Sequence, residues 1–271
     1  MPAGRRRSLP HAMAHTMKEK KYFFFDLDGT LSVGRERFVP ESTRFCLQRL
    51  RDNGHFVSVA TGRLQKDAFD FVAPLGVCSL VADGGNSVTL DGVIREMRSL
   101  PPVACRAFLR WLDDRHIPWA VTTENKVLCL TRDERFAGAV KDVYFPLIVD
   151  RAFSYAGQRA FYKIYVPCAP GREGEIDFHG LPVVRYSEEC VFIEPVDKGN
   201  GIKKLMRLLQ ADIHDVVVFG DGGNDVGMFL PEWFSVAMGN AGDALKRKAD
   251  YVTTACDEDG IFKACAHFGW V

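Results

Sequence analysis

Four short stretches place carboxylates, a hydroxyl and an ammonium in a fixed order: Phe25-Asp26-Leu27-Asp28-Gly29-Thr30, Ala60-Thr61-Gly62-Arg63, Asp197-Lys198-Gly199 and Gly220-Asp221-Gly222-Gly223-Asn224-Asp225. Asp26 and Asp28 are two apart, so in extended backbone both carboxyls project to one side, roughly 6–7 Å apart. A phosphorus atom fits between them. One carboxylate can attack it to form an aspartyl phosphate, while the other protonates the leaving alkoxide and later deprotonates water. An isolated Asp-x-Asp-Gly is most often a solvated turn, but here it follows Tyr22-Phe23-Phe24-Phe25, which reads as a buried strand. A calcium loop starting at Asp26 fails, because its sixth position is Leu31 and its twelfth Arg37, where Gly and Glu are required.

Asp221 and Asp225 lie on a glycine-rich turn and can offer hard oxygens to Mg²⁺ alongside Asp26. Without a cation, several carboxylates facing a phosphate would raise one another's pKa and repel the substrate. Thr61 can donate its hydroxyl and Gly62 its N–H to phosphate oxygens, and Lys198 supplies a point charge for the same group. Taken singly, each has a bland reading: a cap, an exposed lysine, a loop glycine. Their order is the signal. The glycine-rich turn is not a dinucleotide fingerprint, since position 225 is Asp, and no G-x-x-x-x-G-K-[ST] phosphate loop occurs.

Positioning these groups requires strands that end at them. Tyr22 to Phe25, His55 to Ala60, Val77 to Ala82, Asp215 to Phe219 and Phe234 to Met238 are short apolar runs of the kind buried on both faces. Helical patterns separate several of them, opening at Pro40-Glu41 and at Gly199. The alternation predicts an α/β fold with a Rossmann-like parallel sheet, whose ligands bind beyond the strands' carboxyl ends. Between Gly84 and about Ser187 the texture changes. It begins with an Asp91-Gly92 hairpin signal and continues with a helix over Pro102–Arg115 and strands near Ile117–Val121 and Phe161–Val166. The expected organisation is a core of residues 21–83 and 188–271 with an inserted α+β cap domain over 84–187.

Composition narrows the function. The 271 residues are 47% hydrophobic, enough for a substantial core, and 35 basic residues balance 35 acidic ones, leaving no global field for nucleic acid or an acidic membrane. Eight scattered cysteines without a C-x-x-C pair point to buried thiols in a reducing cytoplasm. No apolar run approaches the roughly 18–20 residues needed to span a bilayer. Residues 1–20, with Arg5-Arg6-Arg7, are expected to be a disordered tail, the alternatives being a transit peptide, a translated leader or a cloning remnant.

The four segments resemble motifs one to four of the haloacid-dehalogenase-like phosphatase superfamily, and the insert makes the chain similar to its Cof-type branch. Ser235-Val-Ala-Met-Gly-Asn240-Ala241 and Asp257-Glu-Asp-Gly260-Ile261 add to the likeness. The resemblance implies Asp26 as nucleophile and magnesium ligand, with Asp28 as acid/base lending only its backbone carbonyl to the ion. It implies Asp221 as a direct ligand and Asp225 as a ligand or the partner of one. Thr61, Gly62, Lys198 and Asn224 would hold the phosphate. Relatives often carry Asn-Gly-Ala at the cap entry, where this chain has Gly84-Gly85-Asn86; Gly85, Asn86 and the cap residue Lys163 are substrate candidates.

The implied activity is Mg²⁺-dependent hydrolysis of small phosphorylated metabolites, sugar phosphates foremost, by a monomer or homodimer. Alternatives are pyridoxal phosphate, flavin mononucleotide or a nucleotide as substrate, a mutase, or a regulator that binds without turnover. A cap bearing an exposed Trp111 and Trp119 patch for a protein partner is a further alternative; the helical spacing of Val103, Phe108, Trp111 and Leu112 argues for core packing instead.

Overall fold

The computed structural model describes residues 19–34, 38–141, 143 and 145–271. The tail expected over 1–20 lies outside them, apart from Glu19 and Lys20. In chain order the strands are Tyr22–Phe25 (β1), Phe56–Ala60 (β2), Leu80–Ala82 (β3), Ser87–Leu90 (β4), Val93–Met97 (β5), Ala120–Thr122 (β6) and Cys129–Thr131 (β7). Leu147–Val149 (β8), Lys163–Pro167 (β9), Val183–Val184 (β10), Cys190–Ile193 (β11), Val216–Gly220 (β12), Phe234–Ala237 (β13) and Tyr251–Val252 (β14) complete them. The helices are Glu41–Asp52 (α1), Gln65–Val72 (α2), Pro102–Asp114 (α3), Arg135–Ala139 (α4), Lys198–Leu209 (α5), Asp243–Lys248 (α6) and Gly260–His267 (α7).

Consecutive aromatic residues in a strand must face both ways, so β1 demands cover on two sides. Phe23 and Phe25 enter one apolar cluster with Phe219 and with Leu47 of α1 and Ile261 of α7; Phe24 enters the opposite one with Val218 and with Ile202 and Leu205 of α5. β1 is accordingly central in an eight-stranded sheet of order β14-β13-β12-β1-β2-β3-β4-β5. The six strands from β14 to β3 are parallel. Asp26, Thr61 and Asp221 each follow the last residue of a parallel strand, so topology alone gathers them at one edge of the sheet.

A second, six-stranded sheet of order β10-β11-β9-β6-β7-β8 forms the cap. One of its faces packs Ile164, Val166, Val191 and Ile193 against Phe108, Leu109 and Leu112 of α3. The alternate positions, Lys163, Tyr165, Phe192 and Glu194, take the other face and border the cavity described below. No helix among the described residues is long and apolar enough to cross a membrane. No disulfide joins the eight cysteines, seven of which are buried, Cys78 being exposed.

Two expectations are revised. The hairpin expected from Asp91-Gly92 forms, but it extends the core sheet rather than opening the insert, because β4 pairs antiparallel with β3, Val81 opposite Val88. A turn signal reports local backbone geometry, not which sheet the hairpin edges. The second sheet takes its strands from β6 to β11, between Ala120 and Ile193. Val103 does not point inward: it is 74% exposed, since five positions from Phe108 amount to about 140° around a helix. Trp119 is buried, with its Nε1 donating to Asp113 Oδ1, and Trp111 packs against the cap core, which removes the exposed tryptophan patch.

Candidate active site

The parallel ladder runs one residue past β1, where Asp26 N–H donates to Phe219 O, and this fixes Asp26 beside the turn that follows β12. Lys198, the first residue of α5, is fully buried and donates from Nζ to Asp26 Oδ1 (2.6 Å) and Asp225 Oδ1 (2.5 Å). The other oxygen of Asp225 accepts the N–H groups of Asp221 and Gly222 at 2.9 and 2.8 Å. Asp225 thus has both oxygens occupied and acts as the brace of the glycine-rich turn. Asp221 accepts from Thr30 Oγ1 at 2.8 Å and, more weakly, from Asn240 Nδ2 at 3.3 Å.

Charge is unbalanced here. One oxygen each from Asp26, Asp221 and Asp225 lies within 4.8 Å of the other two, facing a single ammonium. Burial pushes Asp26 well above the usual carboxylate range, and the Asp225 charge adds to this while Lys198 opposes it. Burial likewise raises Asp221 to about 6. For Lys198 burial alone would lower the pKa, but Asp225 and Asp26 outweigh it and hold the ammonium protonated. Crowded carboxylates raised in this way suit a hard divalent cation, and Asp26 and Asp221 retain oxygens able to hold Mg²⁺.

Asp28 stands apart from that cluster. Its carboxylate is held by Arg63, with Nε to Oδ2 at 2.7 Å and Nη2 to Oδ1, and its side chain is 49% exposed at the cavity mouth. Thr61 is buried, its Oγ1 accepting from Arg63 N–H at 3.1 Å. The Gly62 carbonyl accepts from the cap residue Lys163 at 2.8 Å. Lys163 also pairs with the buried Glu194, whose Oε1 accepts from Tyr186 Oη at 2.6 Å. Tyr186 in turn accepts from Asn224 Nδ2 at 3.2 Å, and burial together with the Glu194 charge keeps its phenol protonated.

These groups border one cavity of about 300 Å³ between the two sheets, shared by Asp26, Asp28, Thr61, Gly62, Asn224 and Asp221 on the core side. From the cap come Lys163 and Glu194, with an aromatic wall of Phe145, Tyr165, Tyr186 and Phe192. Lys198 lies behind Asp26. Every motif residue singled out in the sequence is therefore in or against this site, and so is Lys163. Gly85 and Asn86 are not among its lining residues. At Gly85 (φ 103°) a Cβ would come within 2.0 Å of the Asp197 carbonyl oxygen, so the residue serves the close crossing of two chain segments. Asn86 is engaged through its backbone with Asp83 and Arg98.

Arg63, Thr30, Asn240, Tyr186 and Glu194 were missed. Arg63 had a signal, a cation directly after a glycine expected to face phosphate. Glu194 had another, a charge closing the apolar run Cys190-Val-Phe-Ile.

A family model described as haloacid dehalogenase-like hydrolase matches residues 23–265. YkrA of Bacillus subtilis (strain 168) is 32% identical over 257 residues, covering 93% of this chain and 98% of that protein. A phosphoglycolate phosphatase of Pyrobaculum islandicum is 28% identical over 234 residues, covering 86% and 88%. Among solved structures, a hypothetical protein of Geobacillus kaustophilus HTA426 superposes with a TM-score of 0.80 at 27% identity, covering 93% of this chain and 100% of that one. A match running from β1 into α7, over a chain whose strand ends carry the acids and the lysine just described, means that this protein belongs to the haloacid dehalogenase-like hydrolase family.

Proposed function

We propose that this chain is a Mg²⁺-dependent phosphatase that hydrolyses small phosphomonoesters through an aspartyl phosphate on Asp26. The observation that carries the reading is the Lys198-centred cluster of Asp26, Asp221 and Asp225 opening into a cavity roofed by the cap. Lys198 holds Asp26 Oδ1, while Oδ2 has no hydrogen-bond partner among the described residues and is the oxygen assigned to attack. Asp28, oriented by Arg63, donates the proton that the departing alkoxide needs, then takes one from the water that cleaves the acyl phosphate. Thr61 and the Gly62 N–H, with Asn224 opposite, hold the phosphoryl oxygens. Asp26, Asp221 and the Asp28 carbonyl would hold Mg²⁺, with Asp225 bracing the turn, and the ion would supply the positive charge this site lacks.

We assign the cap to the segment from about residue 98 to 194, on sheet membership, and give it the task of excluding water and selecting the leaving group. Sugar phosphates remain the leading substrate class, because Lys163 and Glu194 can meet hydroxyls. The aromatic wall favours a second reading, a compact planar ester such as pyridoxal phosphate. The volume, at the lower end of the range for ligand sites, argues against flavin mononucleotide and nucleotides.

Stoichiometric phosphate release from 4-nitrophenyl phosphate with Mg²⁺, abolished by EDTA, is the expected result. Asp26→Asn should lower it by on the order of 10⁴-fold or more. Activity surviving in that variant would reject the mechanism, and tight binding without turnover would instead support a regulator. Relative kcat/KM on glucose 6-phosphate and pyridoxal phosphate decides between the two substrate classes.

A further inference from the structure

Glu194 is an unusual tenant of a phosphate-binding cavity. Its side chain is 1% exposed, and it closes β11 at the point where the cap meets the loop that follows β2. A Cβ placed on Gly62 would lie 2.9 Å from Glu194 Oε1, so this carboxylate rests directly against the expected phosphate loop. An unpaired anion there would oppose the substrate.

It is not unpaired. The antiparallel register that sets Phe192 opposite Tyr165 and Ile193 opposite Ile164, carried one residue further, brings Glu194 across from Lys163. Lys163 spends one N–H on Glu194 and one on Gly62 O, which leaves one for a ligand. Tyr186 spends its hydroxyl proton on Glu194. Among the described residues the cap contributes one more cation to the cavity, Arg185, but that guanidinium is bound by Glu173 and by the carbonyls of Cys168, Ser187 and Ala169, so its charge is matched within the cap. The roof over the leaving group is therefore electrically neutral as well as partly aromatic.

Building on the phosphatase reading, we infer that Glu194 is a specificity and positioning residue: it cancels the Lys163 charge and aims its remaining N–H, so that the cap accepts neutral, hydroxyl-bearing leaving groups and rejects those carrying a carboxylate. A bare ammonium at this place would attract a second anionic group. The Lys163–Glu194 pair offers a carboxylate no net attraction and presents Glu194 as a like charge.

Glycerol 3-phosphate and 3-phosphoglycerate differ by a hydroxymethyl against a carboxylate and provide the test. Wild type is expected to favour the neutral ester in kcat/KM by at least about tenfold, and Glu194→Gln, which unmasks Lys163, to lower that ratio by at least about tenfold. The single variant leaves a buried ammonium beside an amide, so thermal melts accompany the kinetics. The paired variant Glu194→Gln/Lys163→Met restores neutrality and should return the preference to the neutral ester. A wild-type ratio near one overturns the inference, whether or not the variants fold. So does an unchanged ratio in a folded Glu194→Gln, or a paired variant as tolerant of acid as the single one. These results leave the phosphatase reading intact, whereas no turnover of these esters or of 4-nitrophenyl phosphate by wild type removes that reading and the inference together.

Discussion

The core wall and the cap wall of the cavity balance charge in opposite ways. On the core wall three carboxylates crowd around one buried ammonium, and Asp26 and Asp221 are raised because burial and mutual repulsion disfavour their charges. On the cap wall one carboxylate meets one ammonium and one phenol, and each finds a partner. On the proposed reading the core wall is completed by something that arrives, a cation and a phosphoryl group. The cap wall is complete in itself and can only select. Damage to the first should appear in chemistry and folding together, damage to the second mainly in which esters are turned over and how fast.

The sharpest way to break this contrast is Lys198→Met. Removing the one ammonium leaves Asp26 and Asp225 buried without compensation, a change worth about 3–5 kcal/mol of stability when a buried pair loses a partner. Activity should fall by at least on the order of 10²–10³-fold, as when a charge-stabilising donor is removed. Urea unfolding should show the loss, and added Mg²⁺ should recover part of it by standing in for the missing charge. A variant as stable as wild type would mean that the carboxylates are not competing for this ammonium.

Asp83, just past β3, is buried, with Oδ1 lacking a partner among the described residues. Burial raises its pKa to about 7, with Lys163 opposing. The folded state then holds the proton more tightly than the unfolded chain does. The stability this contributes is fully present below about pH 4 and is lost as pH rises through about 7, up to about 4 kcal/mol for the full shift. Asp83→Asn keeps the shape and tolerates the residue's positive φ of 50°. The variant's stability relative to wild type should therefore grow from pH 5 to pH 8, and a constant difference across that range would show that Asp83 stays ionised in the fold.

The two walls were also unequally legible. Asp26, Thr61 and Asp221 could be placed from sequence because each directly follows a strand whose apolar run is visible, and a parallel sheet collects such ends without further information. Lys198 opens a helix whose periodicity is equally plain. The cap wall depends on register: Lys163 and Glu194 are 31 positions apart and meet only because β9 and β11 pair in one alignment, which no local pattern encodes. The same limit explains the hairpin over residues 87–97, whose turn was readable while its attachment to β3 was not. Gly85 and Asn86 fall outside the cavity lining for a related reason, since a glycine required by a chain crossing looks in sequence like one required by a ligand.

Tyr186→Phe probes the cap wall at its weakest link. The ring, edge-on to Phe192 with centroids 5.2 Å apart, should stay in place, so only the hydroxyl bridge from Glu194 to Asn224 is lost. One hydrogen bond to a charged acceptor contributes about 1.5–3 kcal/mol, but this one is only partly buried and water can replace the hydroxyl at Glu194. The expected cost is about tenfold in kcat/KM with little change in melting temperature. Lys163 still neutralises Glu194 in this variant, so the ratio between neutral and acidic esters should hold while the rate falls. A shifted ratio would place Tyr186 in selection itself and make the cap wall less self-contained than its charge balance implies.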